Sequence, residues 1–536
     1  MIVNVLLFLA TTLVTLYYYF TRNFNYWKSR NVVGPKPVPL FGNLLESTLR
    51  RTHVGGVIFK LYNQYPKEKF IGIYRMTSPC LLVRDLDLVK HVMIKDFDAF
   101  SERGVEFDKN DLGKNLFHAD SETWNLLRNK FTPLFTSGKL KNMMYLLIQR
   151  SDHFMEYMES TCRQNTEQEV HGLVQKFTIS SIVATAFGLD IDINDKMMTE
   201  LLKMNDMIMY QSLLNELDMM FPGILNILSA SLFPKSIKHF FYRLVETIKV
   251  QRNNAPTNRK DFMDLILELR QQKQIKGQKW NQDNSLELEI TDGIIAAQAF
   301  VFYVAGYETS ASTMAFMLYE LAQNPDVQEK LIAEIDEVLG KNNDELTYES
   351  LNEMKYLTKV FDETLRMYPI GEILQRCAKR DYKIPGTDVT IKQGQIVLIP
   401  VNGIHHDEKY YPNSKKFDPE RFSPENVRER HPCAYLPFGL GPRNCIGKRI
   451  ANVQSSICIA RLLSKFRVEP ANRKQNLNYD PHKLVSNFTG GTYLKIISRK
   501  KIRRVPAIYK HGSFTDMLTL ETCCRLSLLG TNYVFT

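Results

Sequence analysis

One segment near the middle of the chain limits the possible folds most: residues 291–324 predict a single helix that is apolar on nearly all sides. Thr291 can cap its start, and Pro325 is expected to end it. A helix of this kind must be enclosed by other protein elements or by lipid. Glu308 interrupts the apolar stretch before it is long enough to span a bilayer, so we expect the central helix of a large protein core.

The rest of the sequence predicts a mostly α fold with small β-sheets. Hydrophobic residues make up 44% of the 536 residues and charged residues 24%, which is typical of globular proteins. Strand-like runs are short and occur near residues 70, 80, 395 and 490, the last around a predicted hairpin tip at Gly490-Gly491. The polar stretch 271–285 is expected to be an exposed loop.

The N-terminus predicts a transmembrane anchor. Residues 1–21 carry no charged side chain and are long enough to cross a bilayer. No basic residue precedes the run and no small-residue cleavage pattern follows it, which favours an uncleaved anchor over a signal peptide. Basic residues follow directly, so the remainder is expected on the cytoplasmic side. Residues 22–45 form a basic, proline-rich hinge that should act as a stiff spacer.

Charge and cysteine content exclude several classes of protein. The net charge of +11 is compatible with nucleic acid, an anionic membrane or an acidic protein partner. The sequence has neither zinc-finger spacing nor a dense Lys/Arg stripe, so no nucleic-acid partner is expected. The eight cysteines include no C-x-x-C pair, which argues against zinc sites, iron–sulfur clusters and a disulfide scaffold.

The most informative segment is PFGLGPRNCIGKRIA, from Pro437 to Ala451. Its glycines let the backbone approach a flat cofactor closely. Cys445 precedes a predicted helix, whose N-terminus is expected to lower the cysteine pKa and favour the thiolate. For an isolated cysteine, a buried structural residue beside a glycine turn would be the better interpretation.

The pattern F-x-x-G-x-R-x-C-x-G, from Phe438 to Gly447, resembles the haem-binding signature of cytochromes P450. The resemblance implies the cytochrome P450 fold, with Cys445 as the axial ligand of haem iron and with Phe438 and Gly439 beside the cofactor. A thiolate ligand donates electron density to the iron and favours cleavage of the O–O bond.

Other segments resemble the same family. Glu363, Arg366 and Arg421 match a buried structural cluster, although an E-x-x-R pair alone is usually an ordinary surface ion pair. The resemblance also implies that four residues bind the haem propionates: Trp124, Arg128, Arg376 and Arg443. Without the resemblance, the better interpretation would be a core tryptophan and three surface arginines.

AGYETS, from Ala305 to Ser310, resembles the oxygen-activating segment of these enzymes. A small residue at Gly306 leaves room for dioxygen, and Ala305 is expected beside the haem. The resemblance implies that Glu308 and Thr309 form an acid–alcohol pair that relays protons. The alternative is that the Thr309 hydroxyl only bonds back to its own helical turn.

The resemblance also implies where substrate and partners bind. An NADPH–cytochrome P450 reductase is the expected electron donor, with cytochrome b5 as a second candidate. A basic docking patch is expected at Lys448, Arg449, Arg128, Lys130 and Lys139. Residues expected to line the substrate cavity are Phe117, His118, Phe300, Val304, Ile370 to Leu374, and Phe488.

The family resemblance covers roughly residues 30–500, and it predicts a haem-thiolate monooxygenase domain over 46–500 and a C-terminal tail, 501–536, without an assigned role. Details such as LRMYP resemble the insect family-6 group. This implies oxidation of lipophilic small molecules, such as xenobiotics, plant toxins, insecticides or endogenous lipids and hormones, at the endoplasmic reticulum membrane. Two alternatives are a haem-thiolate isomerase or dehydratase that needs no reductase, and a membrane-tethered carrier without turnover.

Overall fold

The computed structural model describes residues 1–105, 112–210, 214, 224, 228, 233–259, 261–278 and 285–499. In these ranges helices dominate and four small sheets accompany them, which confirms the predicted mostly α fold. The predicted tail, 501–536, lies outside the described residues.

The N-terminal helix spans Ile2–Thr21 and buries none of its side chains against the protein. Within the described ranges, it alone is long and apolar enough to cross a membrane, so it is compatible with the predicted anchor. The segment that follows is attached to the first sheet through Trp27, whose side chain is 2% exposed. Its indole Nε1 donates to the carbonyl of Ile73 at 3.0 Å. The first part of the predicted hinge is therefore packed against the body of the protein.

The helices of the body are connected mostly by short turns and by brief 3-10 or π segments. The described α-helices after the anchor are Leu45–Thr48, Val54–Gln64, Leu86–Lys90, Ser121–Phe131, Ser137–Gln164, Val170–Ile182, Lys196–Met209, Lys235–Gln251, Phe262–Gln272, Asp292–Gln323, Pro325–Lys341, Tyr348–Glu353, Lys355–Met367, Val401–His405, Pro424–Glu429 and Lys448–Lys465.

The helix Asp292–Gln323, called the central helix below, confirms the prediction of a long buried helix. The Thr291 hydroxyl caps it by accepting from the Ile294 amide at 3.3 Å. The central helix packs along the helix Val170–Ile182. Gly306 allows this close approach, because a Cβ at that position would press against the side chain of Ile182.

The strands form four sheets. β1 (Phe70–Arg75), β2 (Ser78–Val83), β9 (Ile396–Pro400) and β6 (Ile373–Cys377) lie in that order, with β2 and β9 parallel and the other pairs antiparallel. A second sheet has the order β10 (Phe466–Pro470), β11 (Tyr493–Ser498), β3 (Glu167–Glu169). Two hairpins complete the set: β4 (Gln274–Gln278) with β5 (Ser285–Glu289), and β7 (Tyr382–Lys383) with β8 (Thr390–Ile391).

Two local predictions are wrong. In the stretch predicted as an exposed loop, 271–285, residues Gln274–Gln278 form strand β4 and Ser285 begins β5, while 279–284 lie outside the described residues; Ile275 is buried against the body. Gly490-Gly491 forms a turn but not a hairpin tip, because β11 after it pairs with the distant strands β10 and β3. In both cases tertiary pairing decides the structure, and a local turn signal does not reveal the partner strand.

Candidate active site

The segment from Pro437 to Gly447 forms a tight loop before the helix Lys448–Lys465. The Cys445 amide donates to the Phe438 carbonyl at 2.8 Å and closes the loop. Gly439 and Gly441 have φ angles of 68° and 73°, which favour glycine. A Cβ on Gly441 would also overlap the carbonyl oxygen of Met93. Backbone geometry thus fixes the position of the cysteine.

The Cys445 side chain faces a cavity. Burial raises the pKa of the Cys445 thiol, while the Gly447 and Lys448 amides and the nearby Arg128 and Arg103 act in the opposite direction. The amides at the helix N-terminus thus act to lower the pKa, as predicted, but burial outweighs them and the net pKa is raised. A positive charge on the sulfur side of the cavity would supply the missing stabilisation.

The cavity has a volume of about 650 Å³ and lies between the cysteine loop and the central helix. The cysteine loop contributes Phe438, Gly439, Arg443, Cys445 and Gly447. The central helix contributes Val301, Phe302, Ala305, Gly306 and Thr309. The predicted cofactor residues Ala305, Phe438 and Gly439 therefore all lie on the cavity wall with the cysteine.

One edge of the cavity carries buried arginines. Arg376 and Arg443 are 3% and 2% exposed, yet Nε of each, and Nη1 of Arg443, find no hydrogen-bond partner among the described residues. The Arg443 guanidinium lies 4.7 Å from the ring centre of Trp124 and donates to the Ala119 carbonyl at 2.9 Å. Unsatisfied buried donors are costly, so this edge is built to receive an anion.

Comparison with known proteins agrees with this geometry. The family model of cytochrome P450 matches residues 32–495. The chain belongs to the cytochrome P450 family. It is 56% identical to cytochrome P450 6B6 of Helicoverpa armigera over 92% of this chain and 98% of that protein, and 53% identical to cytochrome P450 6B1 of Papilio polyxenes over 92% and 99%. Identity to cytochrome P450 6a2 of Drosophila melanogaster is 38% over 89% and 96%. These relatives confirm the predicted resemblance to the insect family-6 group.

Membership identifies the protein as a haem-containing monooxygenase, and its cavity fits that cofactor. A thiol faces the space from one wall, small residues at Ala305 and Gly306 face it from the other, and unsatisfied guanidinium groups lie at one edge. Haem carries two propionates and a flat apolar ring, which match this combination of charge and surface.

Two further arginines of this P450 line the cavity and bind backbone carbonyls around it. Arg128 binds the cysteine loop, since it donates to the Asn444 carbonyl at 2.7 Å and to the Asn444 side chain at 2.8 Å. Arg103 was missed because no motif surrounds it. It lines the cavity and donates to the carbonyls of Phe117 and Arg443 at 2.6 and 3.2 Å. Its conformation joins two cavity walls that are distant in sequence.

The predicted acid–alcohol pair is divided between two sides of the central helix. Thr309 lines the cavity, and its hydroxyl donates to the Ala305 carbonyl at 2.8 Å. Glu308 points away from the cavity and is 2% exposed. It accepts hydrogen bonds from Gln175 at 2.8 Å and Asn487 at 2.9 Å, and its carboxylate lies 3.2 Å from His171 Nε2.

Although burial acts to raise it, the His171 side chain and the two amide donors lower the pKa of Glu308 to about 2. Burial acts to lower the pKa of His171, but the Glu308 carboxylate raises it above its usual value. Glu308 is therefore an ionised carboxylate held by His171, Gln175 and Asn487, and its part in a proton relay with Thr309 stays a prediction.

Only some of the predicted substrate residues line the cavity. Phe117, Ile370 and Leu374 do so. Phe300 and Val304 belong to the neighbouring face of the central helix, and Phe300 packs against Phe241 at a ring-centre distance of 5.3 Å.

The two remaining predictions are corrected as well. The His118 ring lies 3.1 Å from the Asn115 side-chain oxygen, and His118 is not among the described residues that line the cavity. Phe488 belongs to an aromatic cluster with Phe316 and Tyr368. Both residues were predicted at the site from their positions in the sequence, but contacts with neighbouring side chains hold them away from the cavity.

The predicted structural cluster is assembled as expected in geometry. Both Glu363 and Arg366 have fully buried side chains, and Glu363 accepts from Arg366 Nε at 2.7 Å and from Nη2 at 2.9 Å. Arg421 Nε lies 3.5 Å from the same carboxylate, and the Asp418 amide donates to it at 2.9 Å. The Arg366 guanidinium also donates to the His405 carbonyl at 2.9 Å, so the cluster joins three segments of the core.

Proposed function

We propose that this P450 inserts one oxygen atom of O2 into lipophilic small molecules, with Cys445 as the axial ligand of haem iron and with electrons from NADPH delivered by a separate reductase. The observation that carries the proposal is the alignment of three groups on one cavity: the Cys445 sulfur, the Thr309 side of the central helix, and the arginines at one edge. This arrangement supplies a ligand, a place for dioxygen and substrate, and anion binding around one cofactor.

Bound haem supplies the activation of dioxygen and its transfer to carbon, favoured by a thiolate ligand. In the proposed site, the amides of Gly447 and Lys448 stabilise the sulfur anion. Arg376, Arg443 and Trp124 would hold the propionates, which could accept hydrogen bonds from the two buried guanidinium groups. Arg128 acts indirectly in this scheme by holding Asn444, next to the cysteine.

Thr309 is the proposed proton donor at the cavity. Its hydroxyl donates to the Ala305 carbonyl in the structure, and rotation about χ1 would direct the same proton into the cavity. Glu308 is the proposed acid that resupplies this proton. It must first leave Gln175 and Asn487, so its transfer step requires a side-chain rearrangement. His171, 19% exposed, is the neighbouring group through which solvent can protonate Glu308 again.

Electrons and substrate are proposed to reach the site from opposite sides. Lys448 and Arg449 are exposed just beyond the cysteine and belong to the proposed docking patch for an acidic reductase. The apolar helix Ile2–Thr21 would hold the enzyme in the endoplasmic reticulum membrane, where reductase and lipophilic substrates are both concentrated. We propose xenobiotics, including plant toxins and insecticides, as the substrate class, on the basis of the family-6 relatives.

The test is turnover of lipophilic substrates by the full-length protein with reductase, NADPH and ¹⁸O2. We expect one labelled oxygen atom in the product, with dependence on both NADPH and reductase. Thr309→Ala should lower product formed per NADPH by about tenfold or more, because general acid catalysis typically contributes at least that much, whereas Thr309→Ser should retain most of it. Product without NADPH would indicate an isomerase or dehydratase, and absence of oxygen consumption with any ligand that binds would indicate a carrier.

A further inference from the structure

A buried carboxylate, Glu372, lies in one of the segments that form the cavity wall. The other four residues of the segment 370–374 line the cavity, and Glu372 is the one described residue of this segment that does not. Its side chain is only 3% exposed. A buried polar group is costly unless hydrogen-bonding neighbours hold it, so the partners of Glu372 indicate its role.

Two buried side chains hold this carboxylate. Glu372 Oε1 accepts a hydrogen bond from the Ser486 hydroxyl at 2.7 Å. Glu372 Oε2 lies 3.4 Å from His53 Nδ1. Ser486 and His53 are buried as well, at 1% and 6% exposure. The three residues, called the polar clamp below, therefore join three segments that are far apart in the sequence.

The carboxylate also rests directly on the start of the helix Val54–Gln64. A Cβ on Gly55 would fall 1.0 Å from Glu372 Oε2. The φ angle of Gly55 lies outside the left-handed region, so the close approach of Glu372, and not the backbone conformation, requires glycine here. A methyl group at position 55 is thus a second way to displace the Glu372 carboxylate.

Each segment of the polar clamp contributes to the cavity wall. Val54 lines the cavity at the start of its helix. The segment 479–488 is a turn in which the Asp480 amide donates to the Asn487 carbonyl at 2.9 Å, and Pro481 of this turn lines the cavity. The polar clamp therefore sets how three parts of one wall lie relative to one another.

We propose that Glu372 is a positioning residue for substrate selection, because its carboxylate holds these three parts of the wall as a preformed surface for long ligands. It acts through the wall and lines no part of the cavity itself. The inference rests on the proposed function for its effect on turnover, since it concerns the same cavity. Without the polar clamp the wall must be ordered when a ligand binds, so ligands long enough to reach it lose affinity.

The experiment measures affinity as a function of ligand length. 1-Butylimidazole and 1-dodecylimidazole are titrated into the haem-loaded full-length protein, and binding is followed by the absorbance of the haem. Both ligands carry the same imidazole group, so they differ only in how far the alkyl chain extends. Glu372→Ala and Gly55→Ala should each weaken the dodecyl ligand by about tenfold and leave the butyl ligand within about twofold.

Three further variants separate the polar clamp from general effects on the helix. Gly56→Ala is the matched control, because it lies on the same helix and a Cβ there would meet the exposed Thr52 side chain at 3.0 Å. Glu372→Gln should behave like the wild type, since an amide can accept from Ser486 and donate to His53. Gly55→Ala added to Glu372→Ala should cause no further loss, because the displaced carboxylate is gone.

Partition into detergent is the same for every variant, so the ratio of the two dissociation constants is the quantity compared. An unchanged ratio in Gly55→Ala, an equal loss of both ligands, or the same change in Gly56→Ala would overturn the proposal. If Glu372→Ala does not retain haem, Gly55→Ala and Glu372→Gln decide the question. The carbon monoxide spectrum of the same samples tests haem-thiolate formation separately, so failure of the polar clamp and failure of the proposed function give different results.

Discussion

Replacing Glu363 tests whether the buried ion-pair cluster holds the core. Its side chain is fully buried, and it accepts two hydrogen bonds from Arg366 and one from the Asp418 amide. Glu363→Ala leaves the guanidinium of Arg366, also fully buried, with the His405 and Lys416 carbonyls as acceptors but without the carboxylate that neutralises its charge. Breaking a buried ion pair in this way costs about 3–5 kcal/mol. We therefore expect the free energy of unfolding to fall by that amount.

The measurement is urea unfolding followed by far-ultraviolet circular dichroism, with Glu337→Ala as the matched control. Glu337 pairs with Lys341 at 2.6 Å, but the side chains are 64% and 62% exposed, so its loss should change the free energy of unfolding very little. Replacing Glu363 and Arg366 together by leucine should recover part of the stability, because Arg366 is no longer left as a fully buried unpaired charge, although Arg421 still loses the Glu363 carboxylate. A loss for Glu363→Ala as small as that of Glu337→Ala would refute the reasoning.

Three further predictions follow from the site. Gly441→Ala should abolish haem incorporation while the far-ultraviolet spectrum stays helical, since its Cβ would collide with Met93 and its φ is 73°; normal haem content would show that the loop tolerates the change. His171→Phe should destabilise the protein more at about pH 5 than at about pH 9. The pKa of His171 is raised by Glu308 and Glu169 against the effects of burial and Lys483, so its pairing with Glu308 stabilises the protein below the unfolded pKa and is lost as the pH rises through the folded pKa. An equal loss of stability at both pH values in thermal unfolding would contradict the assignment. Charge reversal at Lys448 and Arg449 should raise the reductase concentration needed for half-maximal turnover without changing haem content, and an unchanged value would remove the docking patch.

Features with a local cause were predictable from the sequence. The central helix has a cap at Thr291 and a continuous apolar stretch, and the structure begins and ends it within one residue of the predicted bounds. The cysteine loop follows from glycines whose φ angles require glycine. These signals lie within a few residues of the structure that they determine, so no knowledge of the tertiary fold was needed.

Features decided by distant neighbours were not predictable. Glu308 turns away from the cavity because His171, Gln175 and Asn487 reach it from two other segments. Each residue of a helix is rotated by about 100° from the one before it, so predicting Phe300 and Val304 instead of Val301 as substrate residues was enough to choose the neighbouring face. Arg75 and Arg103 have no motif, and only the fold brings them to the cavity wall.

The central claim is that Cys445 binds haem iron as a thiolate, and carbon monoxide difference spectroscopy tests it most directly. Reduced, haem-loaded protein should give the long-wavelength Soret band that distinguishes a thiolate ligand from a histidine ligand, and Cys445→Ser should lose that band. Cys458→Ser is the matched control, because Cys458 is fully buried in the core and away from the cavity, so this variant should keep the band. A wild-type protein that binds haem without the thiolate band, or a Cys445→Ser variant that retains it, would contradict the account.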